Sequence, residues 1–432
     1  MPGRRSFLIV IVMAIALRAA AVLILQSHTV PRSTYEHGEI AANLLSGRGF
    51  AVKFLGADGP TSQQAPIYPA VVAAIYAIGG VETPRSLLLL QLAQAALGGV
   101  LAAGAMALCR EIAPGRPRTA VVAGSIAAVH PTLVYAATHV QVAALATTLL
   151  IWLLALAYRA GRTGRTRDAF VCGFLLGVLV LTDPILALVA PGAFWAVAMS
   201  RGWRLAIRPF ALMTIVAALI VAPWIVRNAR VHGEFVFIKS SFGYAFWQGN
   251  CALSEGTDKV VRPSVESALG DRGAGLKGLN AGLWKARHEA GYLDDVALTN
   301  ADYASLGKLT EPSRSRVLFR RALVDLRGDP WRYPRLCLRR LRYFVFFDET
   351  NPKTRSPLYR VPHLILTITA LTGLIVARPA TRRRLGPTVL TACLIAAFHT
   401  LTIVSTRFHI PIEPLMGIWV AVGFGWGMED GG

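Results

Sequence analysis

Apolar residues along this chain gather into long runs separated by short basic loops. The first run, Phe7 to Leu25, follows Arg4 and Arg5. With no convincing small-residue cleavage site after it, the run reads as a retained signal anchor. Further runs lie at roughly 85–109, 119–136, 139–157, 169–182, 184–199 and 209–226, then near 358–377, 387–404 and 408–427. A bilayer-crossing helix needs about 20 apolar residues, so the pattern predicts an all-α polytopic membrane protein with about ten transmembrane helices. The piece Ile67 to Ile78 is shorter and opens on Pro66 and Pro69, which suits a helix lying in the membrane interface.

Two polar sections interrupt the runs, at 28–84 and 227–357. They divide the chain into an N-terminal membrane module (1–226) carrying a first external loop, an insert (227–357) and a C-terminal membrane module (358–432). The insert begins Gly-rich with turn signals. Its second half reads as helical over 313–327 and 331–347, and there Arg332, Arg335, Arg339 and Arg342 share one face. With aromatics and Leu over much of the rest, that helix suits an interface rich in lipid phosphates.

Loop charges orient the layout. Arg110, Arg116 and Arg118 share one loop. Arg159, Arg162, Arg165 and Arg167 share another, and further basic loops hold Arg201, Arg204 and Arg208, then Arg378, Arg382, Arg383 and Arg384. If ten spans alternate, all of these fall on the side of Arg4 and Arg5, which the positive-inside rule makes cytoplasmic. Merging the two short runs at 169–199 would scatter them. The first loop and the insert are then external.

Composition agrees. The 432 residues are 54% hydrophobic and 16% charged, with a mean hydropathy of +0.49. These values exclude a disordered chain and disfavour an ordinary soluble domain. The net charge of +21 would suggest nucleic acid in a soluble protein, but here much of the surplus is loop Arg. Cys109, Cys172 and Cys393 lie in or beside apolar runs, whereas Cys251 and Cys337 lie in the insert, where an oxidising compartment would allow them to pair. No Cys/His spacing resembles a zinc site.

The stretch from Ser33 to Phe50 is where chemistry is expected. It reads as a short helix with Ser33 and Glu36 at capping-box spacing and Gly47 as a stop. Glu36, Glu39 and Asn43 recur on one face, with Ile40, Leu44 and Leu45 free to lie on apolar material.

Four motifs carry a family resemblance. The first is Tyr35-x-x-Gly38-Glu39-Ile40-Ala41-x-Asn43-Leu44-x-x-Gly47-x-Gly49-Phe50, with Pro66-Ile-Tyr68-Pro69 after it. The second is His130-Pro131. The third is Ala222-Pro223-Trp224-Ile-Val-Arg227-Asn228, continuing to Gly243, Trp247, Gly249 and Asn250. The fourth is Ser405-Thr406-Arg407-Phe408-His-Ile-Pro411-Ile-Glu413-Pro414. In their order and spacing the chain resembles the GT-C superfamily of polyprenyl-phosphate-sugar glycosyltransferases, in its bacterial protein-mannosyltransferase-like and lipid A aminoarabinose-transferase-like branch. The resemblance implies a multi-pass enzyme of the bacterial inner membrane that acts on the external face. A sugar on a polyprenyl phosphate is attacked by an acceptor hydroxyl with inversion, and a carboxylate of the first external loop is the base. Such chemistry needs that carboxylate near the acceptor and cations around the leaving phosphate.

The resemblance breaks where the family usually has Asp, since Ser33 falls there; Glu36 and Glu39 are the candidate bases. Their structural alternatives are a capping box for Glu36 and an ion pair with Arg48 for Glu39. Asp183, where relatives often carry Arg, reads as an N-cap before Pro184. Gln141 replaces an acidic residue of many relatives. Candidate substrate-binding residues are Arg227, Asn228, Asn250, Arg339, Arg342 and Arg407, with His37 and Tyr68 beside the carboxylates. Arg407 leads because cations are rare in short external loops. His130, His139, His399 and His409 fall near external span ends at no metal-binding spacing. The sequence assigns no cofactor, and a divalent metal stays open. The partners implied are the lipid-borne sugar, membrane lipids and a lipid, glycan or protein acceptor, with no nucleic acid. The competing readings are a transporter or flippase, which should show internal repeats and a midplane site, and a GT-C-like chain that has lost its base.

Overall fold

The computed structural model describes residues 4–30, 33–260, 275–289 and 291–425. Residues 426–427 of the last expected span, and 261–274 in the Gly-rich part of the insert, lie outside the described residues.

The chain opens with α1 (Arg4–Leu25) and α2 (Tyr35–Leu45). A hairpin of β1 (Ala51–Phe54) and β2 (Ala57–Pro60) pairs antiparallel, with Ala51 opposite Pro60. Then come α3 (Ile67–Gly79), α4 (Pro84–Ile112), α5 (Pro117–Val129), α6 (Pro131–Ala136), α7 (Ala143–Thr163) and α8 (Thr166–Val180). A 3-10 turn, Pro184–Val189, leads into α9 (Ala190–Arg201), and α10 (Trp203–His232) follows. The insert holds α11 (Phe242–Asn250), α12 (Gly275–Glu289), α13 (Leu293–Ala297), α14 (Asn300–Gly307), α15 (Glu311–Gly328) and α16 (Arg332–Val345). The chain closes with α17 (Pro357–Val376), α18 (Pro379–Leu401) and α19 (Glu413–Phe424).

A helix or helix pair stands at each of the ten expected spans. Seven are long and apolar enough to cross a membrane alone; those at 117–136, 166–180 and 410–424 are shorter. The break between α5 and α6 falls at His130-Pro131, because proline cannot donate its backbone hydrogen bond. Arg18 of α1, 1% exposed, fills that gap. Its guanidinium donates to the Ala127 and Ala128 carbonyls, both at 2.9 Å, which α5 leaves free at its C-terminus. Gly98 of α4 makes room, since a Cβ there would lie 2.1 Å from Arg18 Cδ.

The basic loops meet at one end of the bundle. Arg162 at the end of α7 pairs with Glu111 of α4 at 2.7 Å, Arg159 pairs with Asp168 at 3.4 Å, and Tyr158 donates to the Arg384 carbonyl. At the other end, the C-termini of α1, α8, α10 and α18 and the N-termini of α4, α7, α17 and α19 meet the polar layer. Asn280 of α12 donates to the Leu25 carbonyl, Ile67 N–H to the Leu181 carbonyl, and Asn250 to the Thr402 carbonyl.

First loop and insert form one layer with its own core, in which Ile40, Val52, Phe54 and Leu55 pack against Phe246, Trp247, Leu306 and Leu318. Buried Glu311 knots the two, accepting from Thr61 Oγ1 at 2.6 Å, Ser62 N at 2.7 Å and Ser240 Oγ. The hairpin turn touches α14 so closely that a Cβ on Gly56, at φ 84°, would lie 2.1 Å from the Tyr303 carbonyl. Cys251 and Cys337, expected as a possible pair, are both free; the Cys337 sulfur faces Arg340 at 3.3 Å.

Candidate functional site

α2 begins on Tyr35, whose φ of 48° lies in the left-handed region. For a non-glycine residue that conformation costs about 1–3 kcal/mol and persists only where neighbours impose it. Here the ring stacks on Trp284 at 6.3 Å, under the Arg287 guanidinium at 5.0 Å. The Ser33–Glu36 capping box does not form. Thr34 is the cap residue, its hydroxyl turns away to Glu82 at 2.8 Å, and Ser33 Oγ is buried with no partner. Glu36 is therefore free of capping duty and makes no hydrogen bond or ion pair with a described residue. Glu39 accepts the Lys53 backbone N–H at 2.7 Å, which ties α2 to the hairpin. Arg48, the ion-pair partner considered for Glu39, instead bonds Asp58 at 2.8 Å and Asn43 at 3.3 Å.

An electrostatic network runs from Glu36 to Arg407. The link is Lys239, half-buried, which donates to Gln64 at 3.0 Å and feels Asp183, Arg407 and Glu36. Loss of water lowers its pKa, Arg407 lowers it further, and the two carboxylates oppose this. His37 sits edge-on to Tyr68 at 4.9 Å; burial, then Lys239 and Arg407, push its pKa down to about 3, so it is a neutral imidazole at physiological pH. Asp183 caps the following turn, accepting from Ile185 N at 3.2 Å as its place before proline suggests.

Beside this network opens a cavity of about 660 Å³, counting its mouth. Four cations reach its wall from four segments: Lys259 after α11, Arg287 of α12, Lys353 of the turn Pro352–Arg355, and Arg407 before α19. Among the described residues Asp258 is the one carboxylate on the wall, with Asn351, Ser405 and Thr406 as neutral polar groups. Lys259 is 3% exposed, and its Nζ lies 3.2 Å over the Tyr292 ring with no hydrogen-bond acceptor among the described residues. Burial brings both Lys259 and Lys353 down to about 8, with Arg287 and Arg407 pushing the same way. Asp348 goes the opposite way, raised to about 7 by burial, and holds the turn before Lys353 through Thr350. Glu36 is not on the cavity wall; its charge reaches Lys239, Tyr244 and Tyr292 beside it.

The other expected residues serve the scaffold around this space. Tyr68 is buried and donates to Gln94 at 2.9 Å. Gln94 in turn donates to the Ala137 and His139 carbonyls. Arg227 donates to the Thr61 carbonyl at 2.6 Å and the Phe50 carbonyl at 3.0 Å, while Asn228 accepts from Ser62 Oγ and donates to the Ile238 carbonyl. Together they hold the segment that leaves β2. Asn250 accepts from Arg340 at 3.1 Å. Arg339 and Arg342 are exposed and paired with Glu255 and Glu349. Trp247 lies in the layer's core.

Asp258, Lys259, Arg287 and Lys353 escaped sequence reasoning, as did Lys239 and buried Arg340. In a chain whose basic residues are mostly Arg, scattered single Lys residues are the one signal that could have found three of them. The four histidines named from the sequence divide into two groups. His139 stacks on Trp284 and His399 on Phe408, whereas His130 and His409 converge with His363 on Glu413.

No family model and no curated protein matches the sequence. Solved structures do. The archaeal oligosaccharyltransferase AglB from Archaeoglobus fulgidus, in complex with an inhibitory peptide and a dolichol-phosphate, superposes with a TM-score of 0.57 at 14% identity. That match covers 98% of this chain and 50% of AglB. The apo form of the same enzyme gives 0.56 at 15% identity, over 98% and 51%. The chain has the GT-C fold. It spans about half the length of the oligosaccharyltransferase, and at these identities the likeness speaks for the GT-C fold alone. ArnT from Cupriavidus metallidurans bound to undecaprenyl phosphate covers 76% of its own length and 96% of this chain at 17% identity. Its TM-score of 0.44 is too loose to build on.

Proposed function

We propose that this chain is a membrane glycosyltransferase that moves a sugar from a polyprenyl-phosphate carrier to a lipid, glycan or protein acceptor. The observation that carries the reading is the convergence of Lys259, Arg287, Lys353 and Arg407 on one cavity at the end of a GT-C bundle. Four cations against one carboxylate, Asp258, among the described residues form a site for a dianion, and a phosphate at the membrane surface is the dianion that this position meets. AglB, of the same fold, was captured with a dolichol-phosphate, a ligand of this class.

In the proposed step an acceptor hydroxyl oxygen attacks the anomeric carbon. The bond from that carbon to the phosphate oxygen breaks, and its electron pair stays on the phosphate. Charge grows there as the bond lengthens, so the cations stabilise the transition state more than the ground state. The acceptor proton passes to Glu36, the carboxylate of α2 that no described residue occupies. His37, Tyr68, Arg227, Asn228 and Asn250 position this apparatus. Arg339 and Arg342, on the exposed face of α16 with Trp331 and Leu338, lie against lipid headgroups. The basic loops at the opposite end suit the cytoplasmic side, which supports a cavity on the external face of a bacterial inner membrane. A cavity at the bundle's end, away from its middle, favours this reading over transport.

Reversal of Arg407 tests the proposal. Arg407 is exposed, so Arg407→Glu should leave the fold intact. A charge-assisted hydrogen bond is worth about 1.5–3 kcal/mol, so affinity for polyprenyl phosphate in detergent should fall roughly 10- to 100-fold. Unchanged affinity would remove Arg407 from the site.

A further inference from the structure

Behind the cavity wall, within the bundle, Glu413 opens α19 at 0% exposure, and neither carboxylate oxygen has a hydrogen-bond partner. Three imidazoles face it. His409 Nδ1 lies 3.0 Å and His363 Nδ1 3.7 Å from Oε1, and His130 Nδ1 lies 3.4 Å from Oε2. All three rings are at least nine-tenths buried, and none of these Nδ1 atoms has a hydrogen-bond partner.

The far side of the His363 ring decides what this cluster is. Its Nε2 lies 3.1 Å from the Val345 carbonyl, an acceptor, so Nε2 carries the hydrogen. In the neutral ring Nδ1 is then a bare lone pair aimed at a carboxylate. Two acceptors facing each other away from water repel unless a cation stands between them. An imidazole whose Nε2–H is held by a backbone carbonyl, leaving the Nδ1 lone pair free to ligate, is the usual setting of a metal-bound histidine. His409 is braced in a similar way, its Nε2 on the Tyr359 hydroxyl at 2.7 Å.

We propose that His363 Nδ1, His409 Nδ1 and a Glu413 oxygen bind a divalent transition metal, zinc by donor type, with His130 holding the other carboxylate oxygen. Two imidazoles and one carboxylate are a zinc donor set, and the three ligand atoms lie within 4.8 Å of one another. Zinc bonds of about 2.0–2.1 Å in tetrahedral array put ligand atoms roughly 3.3 Å apart. The carboxylate-to-nitrogen distances here, 3.0 and 3.7 Å, bracket that value. The metal joins α17, which carries His363, to the segment entering α19, and so anchors the loop bearing Arg407 two residues before His409. It lies apart from the carboxylates of the first loop, so the assignment stands whether or not the chain transfers sugar.

The full-length chain, purified in detergent, should carry about one zinc per chain by elemental analysis. Chelation should lower its unfolding midpoint and zinc should restore it. Refilling with Co²⁺ should give the visible absorption of a four-coordinate site. Glu413→Gln and His363→Ala should each lose the zinc and the cobalt spectrum. Wild-type protein with no bound zinc, no cobalt band and an unmoved midpoint would overturn the assignment and leave a proton-sharing ion pair. Zinc retained at full occupancy by both folded variants would overturn it as well. Should either variant fail to fold, the strip-and-refill experiment on the wild type decides alone.

Discussion

Lys259 and Lys353 hold charges that burial disfavours. Both lie near 8, against an ordinary value of 10.5, because folding takes them out of water beside Arg287 and Arg407. The signs then differ for binding and for stability. Below pH 8 both groups are charged and, in the proposed function, offer their charge to the donor phosphate. As pH rises through 8 they lose their protons, so the KM for a polyprenyl-phosphate sugar should rise between pH 7 and 9 in a steady-state assay. Stability moves the other way. A lysine whose folded pKa is depressed favours folding fully above 10.5 and loses that contribution as pH falls through 8. Lys259→Gln combined with Lys353→Gln should flatten this pH dependence; an unaltered profile would assign the titration elsewhere. Neither lysine stands in a motif, since each meets the cavity through the fold of a loop. Arg407 was legible because a cation in a short loop between the last two spans is out of place.

Helices follow local rules, and most were legible for that reason. Runs of about 20 apolar residues and proline breaks are properties of neighbours in sequence. The bounds Glu311–Gly328 and Arg332–Val345 fall close to those expected from periodicity. Where a distant group competes, the local reading fails. Thr34 and not Ser33 stands at the N-cap of α2, and it makes no side-chain cap because Glu82 from beyond α3 draws its hydroxyl away. Arg340, between two arginines of the expected stripe, turns inward to the Gly249 carbonyl at 2.7 Å and the Thr400 carbonyl at 2.6 Å. The contact of α1 with α4 offers a test at this scale. Gly98→Leu would drive a side chain into Arg18 and free the α5 carbonyls that it satisfies. Overpacking costs about 1–3 kcal/mol, and each buried carbonyl left unpaired adds a similar amount. The thermal midpoint in detergent should therefore drop by several degrees, where Gly328→Ala, at an open position of ordinary backbone conformation, should change it little.

At the scale of the whole molecule, two layers divide the work. The apolar bundle fixes where helix ends emerge, and the polar layer knits first loop to insert through Glu311 and a shared core. That division was legible from hydropathy, and the gathering of basic loops at the opposite end follows from it. The site was legible only in part. Glu36 and Arg407 lie 371 positions apart and share one network through Lys239, which no pattern along the chain marks. The remaining cavity cations come from separate segments of the insert and its far end. The central claim is that a carboxylate of α2 works beside these cations in glycosyl transfer, and a turnover assay tests it most directly. Membranes carrying the protein would be given radiolabelled polyprenyl-phosphate sugars, and label reaching acceptor would be counted for wild type, Glu36→Gln and Glu39→Gln. A positioned base contributes about 10²- to 10⁴-fold, so Glu36→Gln should lose that much, whereas Glu39→Gln, whose amide oxygen still accepts Lys53 N–H, should stay within a few-fold of wild type. Wild-type turnover in Glu36→Gln would contradict the account, as would a wild-type protein that transfers none of the sugars offered.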